Sequence, residues 1–228
     1  MKDIVIVPVF HRTDYTRACL ESLLGARGIE EKSVWIPQDH QIGCPDLDPV
    51  YSVVSDMIWY FKDAKSWRGA PHREKGFLNN THNALRQAYE CGAERVYFVE
   101  DDVIVAPDFF EWSEAVHRDG NWVCSSAWRN PRGQDKPFDI EAYYEVTFPT
   151  TVSIGTCFSR AGLELALRTH DWNPQNRMLT EKWRCVMPYV PRCYHAGKKS
   201  NSGICPSYAV DGVPNPLPDY GGTKVVLR

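Results

Sequence analysis

The sequence predicts an α/β fold with a mostly parallel sheet flanked by helices. Residues 4–10 form a continuous apolar run, which is typical of a strand covered on both faces. A second run of this kind, residues 95–99, follows a segment with helical spacing of its apolar residues. Because strand-like and helix-like segments alternate along the chain, an α/β sheet is the best fold class.

The elements follow in order from local signals. The first helix starts at Thr13 or Asp14, either of which can cap it, and ends at Gly25. Turn-rich residues 197–222 are predicted to be mostly loop. Apolar stripes at helical spacing predict three further helices, over residues 79–91, 108–117 and 159–169. Apolar or β-branched runs predict three further strands, over residues 33–36, 122–128 and 143–148.

The composition is that of a globular protein, with 228 residues of which 43% are hydrophobic and 24% charged. A net charge of −3 argues against a basic, nucleic-acid-binding coat. No apolar run reaches the roughly 18 residues of a membrane span, and Lys2 followed by Asp3 does not fit a secretory signal. We therefore expect a cytoplasmic protein. Its eight cysteines, which include no CxxC pair, are expected to be reduced thiols.

Three consecutive carboxylates, Glu100, Asp101 and Asp102, end the second apolar strand. Adjacent carboxylates repel each other and are costly to bury, and a divalent cation removes that cost. Oxygen ligands at the carboxyl edge of an α/β sheet suit Mg²⁺ or Mn²⁺, which commonly bridge the phosphates of a nucleotide. The alternative is a solvated acidic turn. The strongly apolar strand before the acids favours the metal site.

Residues 98–111, with the sequence FVEDDVIVAPDFFE, resemble the acidic motif of the N-acetylglucosaminyltransferase I family, which includes the related protein O-mannose enzymes. Similarity at lower density extends over residues 4–203. The resemblance implies a GT-A-type, Rossmann-like fold and an inverting glycosyltransferase that uses a UDP-sugar and Mn²⁺. It also implies one catalytic domain over residues 1–228, with a nucleotide-sugar-binding half in residues 1–120 and an acceptor and lid half in residues 121–228.

The same resemblance assigns roles to the acidic motif and to the nucleotide contacts. Asp102 is expected to bind the metal directly, while Glu100 and Asp101 position the sugar, the ribose or metal-bound water. Arg12 and Asp39, after the first two strands, are expected to contact the uracil or ribose. The alternatives for these two are a surface cation and a turn acid.

Asn80 falls near a nucleotide contact that is usually His in the resembled family. This sequence departs from the family there, and His82 is a candidate substitute.

An inverting transfer needs a carboxylate that takes the proton from the acceptor hydroxyl. The family holds this base in a segment containing Trp and Arg, which residues 179–184 resemble, so Glu181 is the candidate base. The family uses Asp, and the alternative is a helix-surface Glu paired with a nearby Lys or Arg. Lys198 and Lys199 lie in a glycine-containing loop that is a candidate to close over the diphosphate.

His195 has two interpretations. Some GT-A enzymes use a late His as a second protein ligand to the metal, although the resembled family holds none there. The more common fate of a His is a hydrogen-bonded or surface side chain. If His195 binds the metal, its imidazole nitrogen favours Mn²⁺ over Mg²⁺.

Two other functions stay open. Nucleotidyltransferases also combine a metal with an α/β sheet, but residues 7–12 lack the Gly-rich phosphate loop that they normally show. A non-catalytic sugar- or nucleotide-binding module is the other alternative. Candidate acceptors are a small molecule, a lipid-linked sugar, a cytosolic protein or a hydroxylated base in DNA. The negative net charge does not favour DNA.

Overall fold

The computed structural model describes residues 2–40, 42, 47–71, 76–128, 139, 141–146, 154–168, 184–196 and 226–227. These residues contain eleven β-strands and five α-helices. The strands are β1 (Asp3–Ile6), β2 (Ser33–Gln38), β3 (Asp63–Arg68), β4 (Arg95–Phe98), β5 (Val103–Val105), β6 (Cys124–Ser126), β7 (Ala142–Glu145), β8 (Thr156–Ser159), β9 (Cys185–Pro188), β10 (Cys193–His195) and β11 (Val226–Leu227). The helices are α1 (Thr13–Leu24), α2 (Asp48–Met57), α3 (Gly76–Glu90), α4 (Phe109–Asp119) and α5 (Arg160–Arg168).

Nine strands form one mixed sheet in the order β11-β7-β9-β6-β8-β4-β1-β2-β3. Five of its eight neighbouring pairs are parallel, and the antiparallel pairs are β7–β9, β6–β8 and β4–β8. The remaining strands, β5 and β10, pair with each other in an antiparallel ribbon. The predicted α/β fold with a mostly parallel sheet is thus confirmed. In the middle of this sheet, β8 runs antiparallel to both of its neighbours, β6 and β4.

The apolar run at the N-terminus is continuous because helices cover both faces of the sheet. Val5 and Val7 pack into one core cluster, together with residues of α1, α2 and α4. Ile4 and Ile6 pack into a second cluster on the other side, with residues of α3 and α5. Since successive residues of a strand point to opposite faces, a strand between two helical layers needs apolar residues at every position.

The unpredicted strands are short or exposed. β3 lies at one edge of the sheet, and its residues Asp63, Lys65 and Arg68 are exposed, so it has no apolar run. β8 and β10 are only four and three residues long. Edge strands with charged residues are normal, because such residues discourage pairing with other chains.

Two expectations from composition concern membranes and thiols. None of the described helices combines the length and the apolar character needed to cross a membrane. The six cysteines within the described part of the chain are free thiols, and five of them are buried.

The sheet order brings three loops together at one edge. β4, β1 and β2 are parallel neighbours, so the segments that follow them emerge side by side. The Val99 amide donates to the Ile6 carbonyl at 3.0 Å, and the Asp39 amide donates to the Val9 carbonyl at 2.8 Å. The carboxyl edge of these strands is where open α/β sheets bind ligands.

We predict that Gly162→Ala destabilises the protein, although alanine normally stabilises a helix by about 1 kcal/mol over glycine. Gly162 lies in the first turn of α5, where an added Cβ would be 2.1 Å from the Val123 carbonyl oxygen. This oxygen accepts hydrogen bonds from Ser159 and is therefore fixed. We expect a loss of about 2 kcal/mol or more in the free energy of unfolding, measured by urea denaturation.

Gly25→Ala is the matched control for this substitution. Gly25 follows α1 with a φ of −80°, and an added Cβ would be no closer than 3.6 Å to any atom beyond its chain neighbours. Its stability should change by less than about 0.5 kcal/mol. Equal effects of the two substitutions would contradict the close contact between α5 and Val123.

Candidate metal centre and nucleotide edge

The three acids form a tight turn at the end of β4. The Val103 amide donates to the Glu100 carbonyl at 3.0 Å, which closes the turn and starts β5. Asp101 and Asp102 are buried, whereas the Glu100 side chain is 19% exposed. The turn therefore carries two carboxylates into the interior and leaves one partly open to solvent.

The β5–β10 ribbon places His195 beside this turn. His195 is the register partner of Val103, the residue that follows Asp102. The Ala196 amide also donates to the Asp102 carbonyl at 2.7 Å. As a result, His195 Nε2 lies 3.1 Å from Asp102 Oδ2 and 4.0 Å from Glu100 Oε2.

A buried ion pair anchors the start of β10. Arg192 and Asp108 have fully buried side chains, and Arg192 Nε donates to Asp108 Oδ2 at 2.8 Å. The Arg192 amide donates to the Ala127 carbonyl at 2.7 Å, and its carbonyl accepts from the Ala106 amide at 2.8 Å. Because Arg192 ties β10 to the ends of β5 and β6, it supports the ribbon that carries His195.

Glu100, Asp102 and His195 form a candidate metal centre. One ligand atom from each lies within 4.8 Å of the others. Asp102 Oδ1 and His195 Nδ1 are buried, and neither has a hydrogen-bond partner among the described groups. Two carboxylates and an imidazole are suitable ligands for Mn²⁺ and, less well, for Mg²⁺. The chemistry of the donor set thus fits a divalent cation.

Asp101 has different neighbours from the other two acids. The Arg12 guanidinium forms an ion pair with Asp101 through one nitrogen and with Asp102 through another. Asp101 also accepts from the Phe10 amide at 3.4 Å and from the Thr16 hydroxyl at 3.5 Å. The structure therefore groups Glu100 and Asp102 with His195, and groups Asp101 with the loop that joins β1 to α1.

Burial and charge shift the pKa values of this cluster in opposite directions. Burial, with the charge of Asp102, raises the pKa of Glu100 to about 7. Burial also raises the pKa of Asp101, although Arg12 opposes it. For Asp102, burial is outweighed by the His195 hydrogen bond and by Arg12, so its pKa is lowered. For His195, burial is outweighed by Asp102 and Glu100, so its pKa is raised. Asp102 is thus the acid that holds its charge most firmly.

Asp39 and Asn80 lie on the other side of the β1 loop, Asp39 directly after β2 and Asn80 near the start of α3. Asp39 is buried, its carboxylate accepts from the His40 amide at 2.9 Å, and its carbonyl accepts from the Tyr51 hydroxyl at 2.8 Å. The buried Asn80 side chain packs against Gly69, where an added Cβ would be 3.2 Å from Asn80 Oδ1. Both polar residues therefore lie at the same edge of the sheet as the acids.

Three predicted site residues, Glu181, Lys198 and Lys199, lie outside the described residues. His82 is described and half-buried on α3, two residues after Asn80. The position of His195 beside Asp102 cannot be predicted from local sequence patterns, because β10 is too short to show a periodic pattern. Its pairing with β5 joins residues 92 positions apart, and no local signal reports it.

Comparisons with known proteins identify the fold. Neither protein-family models nor curated proteins gave a match to this chain. The fold is that of GT-A glycosyltransferases, as solved structures show. Staphylococcus aureus TarS is similar over 87% of this chain, with 18% sequence identity and a TM-score of 0.63.

Two further TarS structures, of its residues 1–349, were solved as complexes. The UDP-GlcNAc complex has 17% identity and a TM-score of 0.62 over 88% of this chain, and the UDP complex has 16% and 0.58 over 85%. The chain spans 37% of the first TarS structure and 60% of each of these two. These likenesses support a glycosyltransferase fold, but not the N-acetylglucosaminyltransferase I family in particular.

We predict that Glu100→Gln stabilises the metal-free protein at pH 8. Glutamine mimics the protonated acid, whereas the wild-type protein must hold a carboxylate whose pKa is raised from 4.5 to about 7 by burial. Such a carboxylate lowers stability above pH 7, and the loss is recovered as the pH falls towards 4.5. We expect the variant to be about 2 kcal/mol more stable at pH 8, and the difference to shrink several-fold by pH 5.

Urea denaturation in the presence of a chelator measures this difference. Glu164→Gln, which removes an exposed carboxylate on α5, is the control and should change stability by less than about 0.5 kcal/mol. A Glu100→Gln variant that is less stable than the wild type at pH 8 would show that the carboxylate stabilises the fold.

Proposed function

We propose that the protein is a metal-dependent glycosyltransferase that moves a sugar from a UDP-sugar to an acceptor hydroxyl with inversion. The observation that carries the proposal is the cluster of Glu100, Asp102 and His195 at the carboxyl edge of a GT-A sheet. The donor class is supported by the similarity to a structure of TarS in complex with UDP-GlcNAc. The proposed transfer is of a hexosyl or an N-acetylhexosaminyl group.

The residues of the nucleotide edge would bind the donor. Asp39, directly after β2, would contact the uracil or the ribose, and Asn80, on α3, would contact the nucleotide. Their burial supports this role, because buried polar groups at a sheet edge keep a fixed orientation. Lys198 and Lys199 would close over the diphosphate, neutralise part of its charge and exclude water.

The metal would be held by Glu100, Asp102 and His195, and we propose Mn²⁺ over Mg²⁺ because of the imidazole ligand. When bound, a divalent cation stabilises the negative charge that develops on the departing diphosphate. The protein supplies the rest of the site. The β5–β10 ribbon fixes His195 against Asp102, so these two side chains need little rearrangement.

The catalytic base would be Glu181. Its carboxylate would take the proton of the acceptor hydroxyl while the hydroxyl oxygen attacks the anomeric carbon of the sugar. The bond from that carbon to the diphosphate breaks as the new glycosidic bond forms. UDP then leaves with the electron pair, and the configuration at the anomeric carbon is inverted.

Variants of Asp102 and Glu181 separate donor binding from catalysis. Wild-type protein should bind a UDP-sugar more tightly with Mn²⁺ than without it in titration calorimetry, and should release UDP slowly by using water as acceptor. Asp102→Asn should weaken donor binding at least tenfold in the presence of Mn²⁺, because the firmest anionic ligand is lost. Glu181→Gln should bind the donor normally but release UDP at least a hundredfold more slowly.

Glu164→Gln is the control for both variants, since this exposed acid lies on α5. Wild-type protein that binds no UDP-sugar, with or without metal, would contradict the proposed function. Donor binding without UDP release, whatever hydroxyl compound is added, would indicate a binding module. Unchanged UDP release by Glu181→Gln would remove Glu181 as the base.

A further inference from the structure

Arg12 occupies the position of a counter-cation at the acid turn. Its two terminal guanidinium nitrogens contact different acids, Asp101 and Asp102. The contact with Asp102 falls on Oδ2, the oxygen that also faces His195 Nε2 at 3.1 Å. The negative charge of the buried turn is therefore compensated within the chain itself.

This arrangement conflicts with a divalent cation at the same acids. A cation held by Asp102 and Glu100 would lie a few ångströms from the guanidinium, where like charges repel strongly in a site shielded from water. Asp102 Oδ2 already faces both Arg12 and His195, so a metal that bound through this oxygen would have to displace one of them. Arg12 and a metal are thus competitors for Asp102.

The surroundings of Arg12 allow its side chain to move without disturbing the turn. The Arg12 side chain is 26% exposed, whereas those of Asp101 and Asp102 are 3% and 0% exposed. Its backbone is fixed, because its carbonyl accepts from the Thr16 amide at 2.8 Å. Asp101 has two partners besides Arg12, the Phe10 amide and the Thr16 hydroxyl.

We propose that Arg12 holds the acid turn together in the metal-free protein and that the metal displaces it from Asp102 on binding. This inference rests on the metal site of the proposed function. Arg12 then keeps Asp101 as its partner, and Asp102 becomes free to bind the metal with Glu100 and His195. The metal-binding state is only part of the metal-free population, so the observed affinity is lower than the intrinsic one by that fraction.

Whether Arg12→Gln binds Mn²⁺ more tightly or more weakly than the wild type tests this proposal. Free Mn²⁺, measured by EPR in nucleotide-free protein, gives the Mn²⁺ affinity of wild type and Arg12→Gln. Displacement predicts that Arg12→Gln binds Mn²⁺ at least fivefold more tightly, because the competitor is gone. An arginine that only orients the acids would have the opposite effect. Arg27→Gln, which breaks a remote Arg27–Glu111 pair, is the control and should bind Mn²⁺ like the wild type.

A second measurement covers the case in which Arg12→Gln does not fold. In wild-type protein, the guanidinium NMR signal of Arg12 should shift on titration with Mg²⁺, while the signal of Arg27 stays unchanged. Equal or weaker Mn²⁺ binding by folded Arg12→Gln, beside measurable binding by the wild type, overturns the displacement alone. An Arg12 signal that does not respond to bound Mg²⁺ does the same. Absence of Mn²⁺ binding in both proteins overturns the proposed metal site as well.

Discussion

Three adjacent carboxylates at the end of a buried strand are stable only with positive charge beside them. Glu100, Asp101 and Asp102 follow β4, which lies in the middle of the sheet between two layers of helices. Burial raises the pKa of Glu100 to about 7, so the site is close to losing a charge at neutral pH. The need for compensating positive charge explains the surroundings of the turn, from Arg12 to His195.

The fold brings the two partners of the acid turn, Arg12 and His195, from distant parts of the chain. Arg12 comes from the loop after β1, which the parallel β1–β4 pairing places next to the acid turn. His195 comes from β10, through its pairing with β5 and the buried anchor at Arg192. Arg12 pairs with Asp101 and Asp102, whereas His195 faces Asp102 and Glu100. The Arg12 side can hold the turn without a metal, and the His195 side offers ligands to one.

The sequence predicts the parts of this site that depend on local pattern. Local runs of residues predict the apolar strand and the three acids that end it. They also predict that Arg12 and Asp39 follow strands. Pairing between distant segments is not visible in such runs. His195 comes next to Asp102 only through a ribbon of three-residue strands. For the same reason, the sequence did not predict β3, whose charged residues suit an exposed edge, or the antiparallel strand β8.

Whether the β5–β10 ribbon brings His195 to a metal held by the acid turn can be measured directly. Pulsed EPR of the Mn²⁺-loaded protein detects coupling to a directly bound imidazole nitrogen. We expect a ¹⁴N coupling in the wild type that is lost in His195→Gln and kept in His40→Gln, since His40 follows Asp39 after β2. Bound Mn²⁺ without any ¹⁴N coupling, or with one that survives His195→Gln, would contradict this expectation.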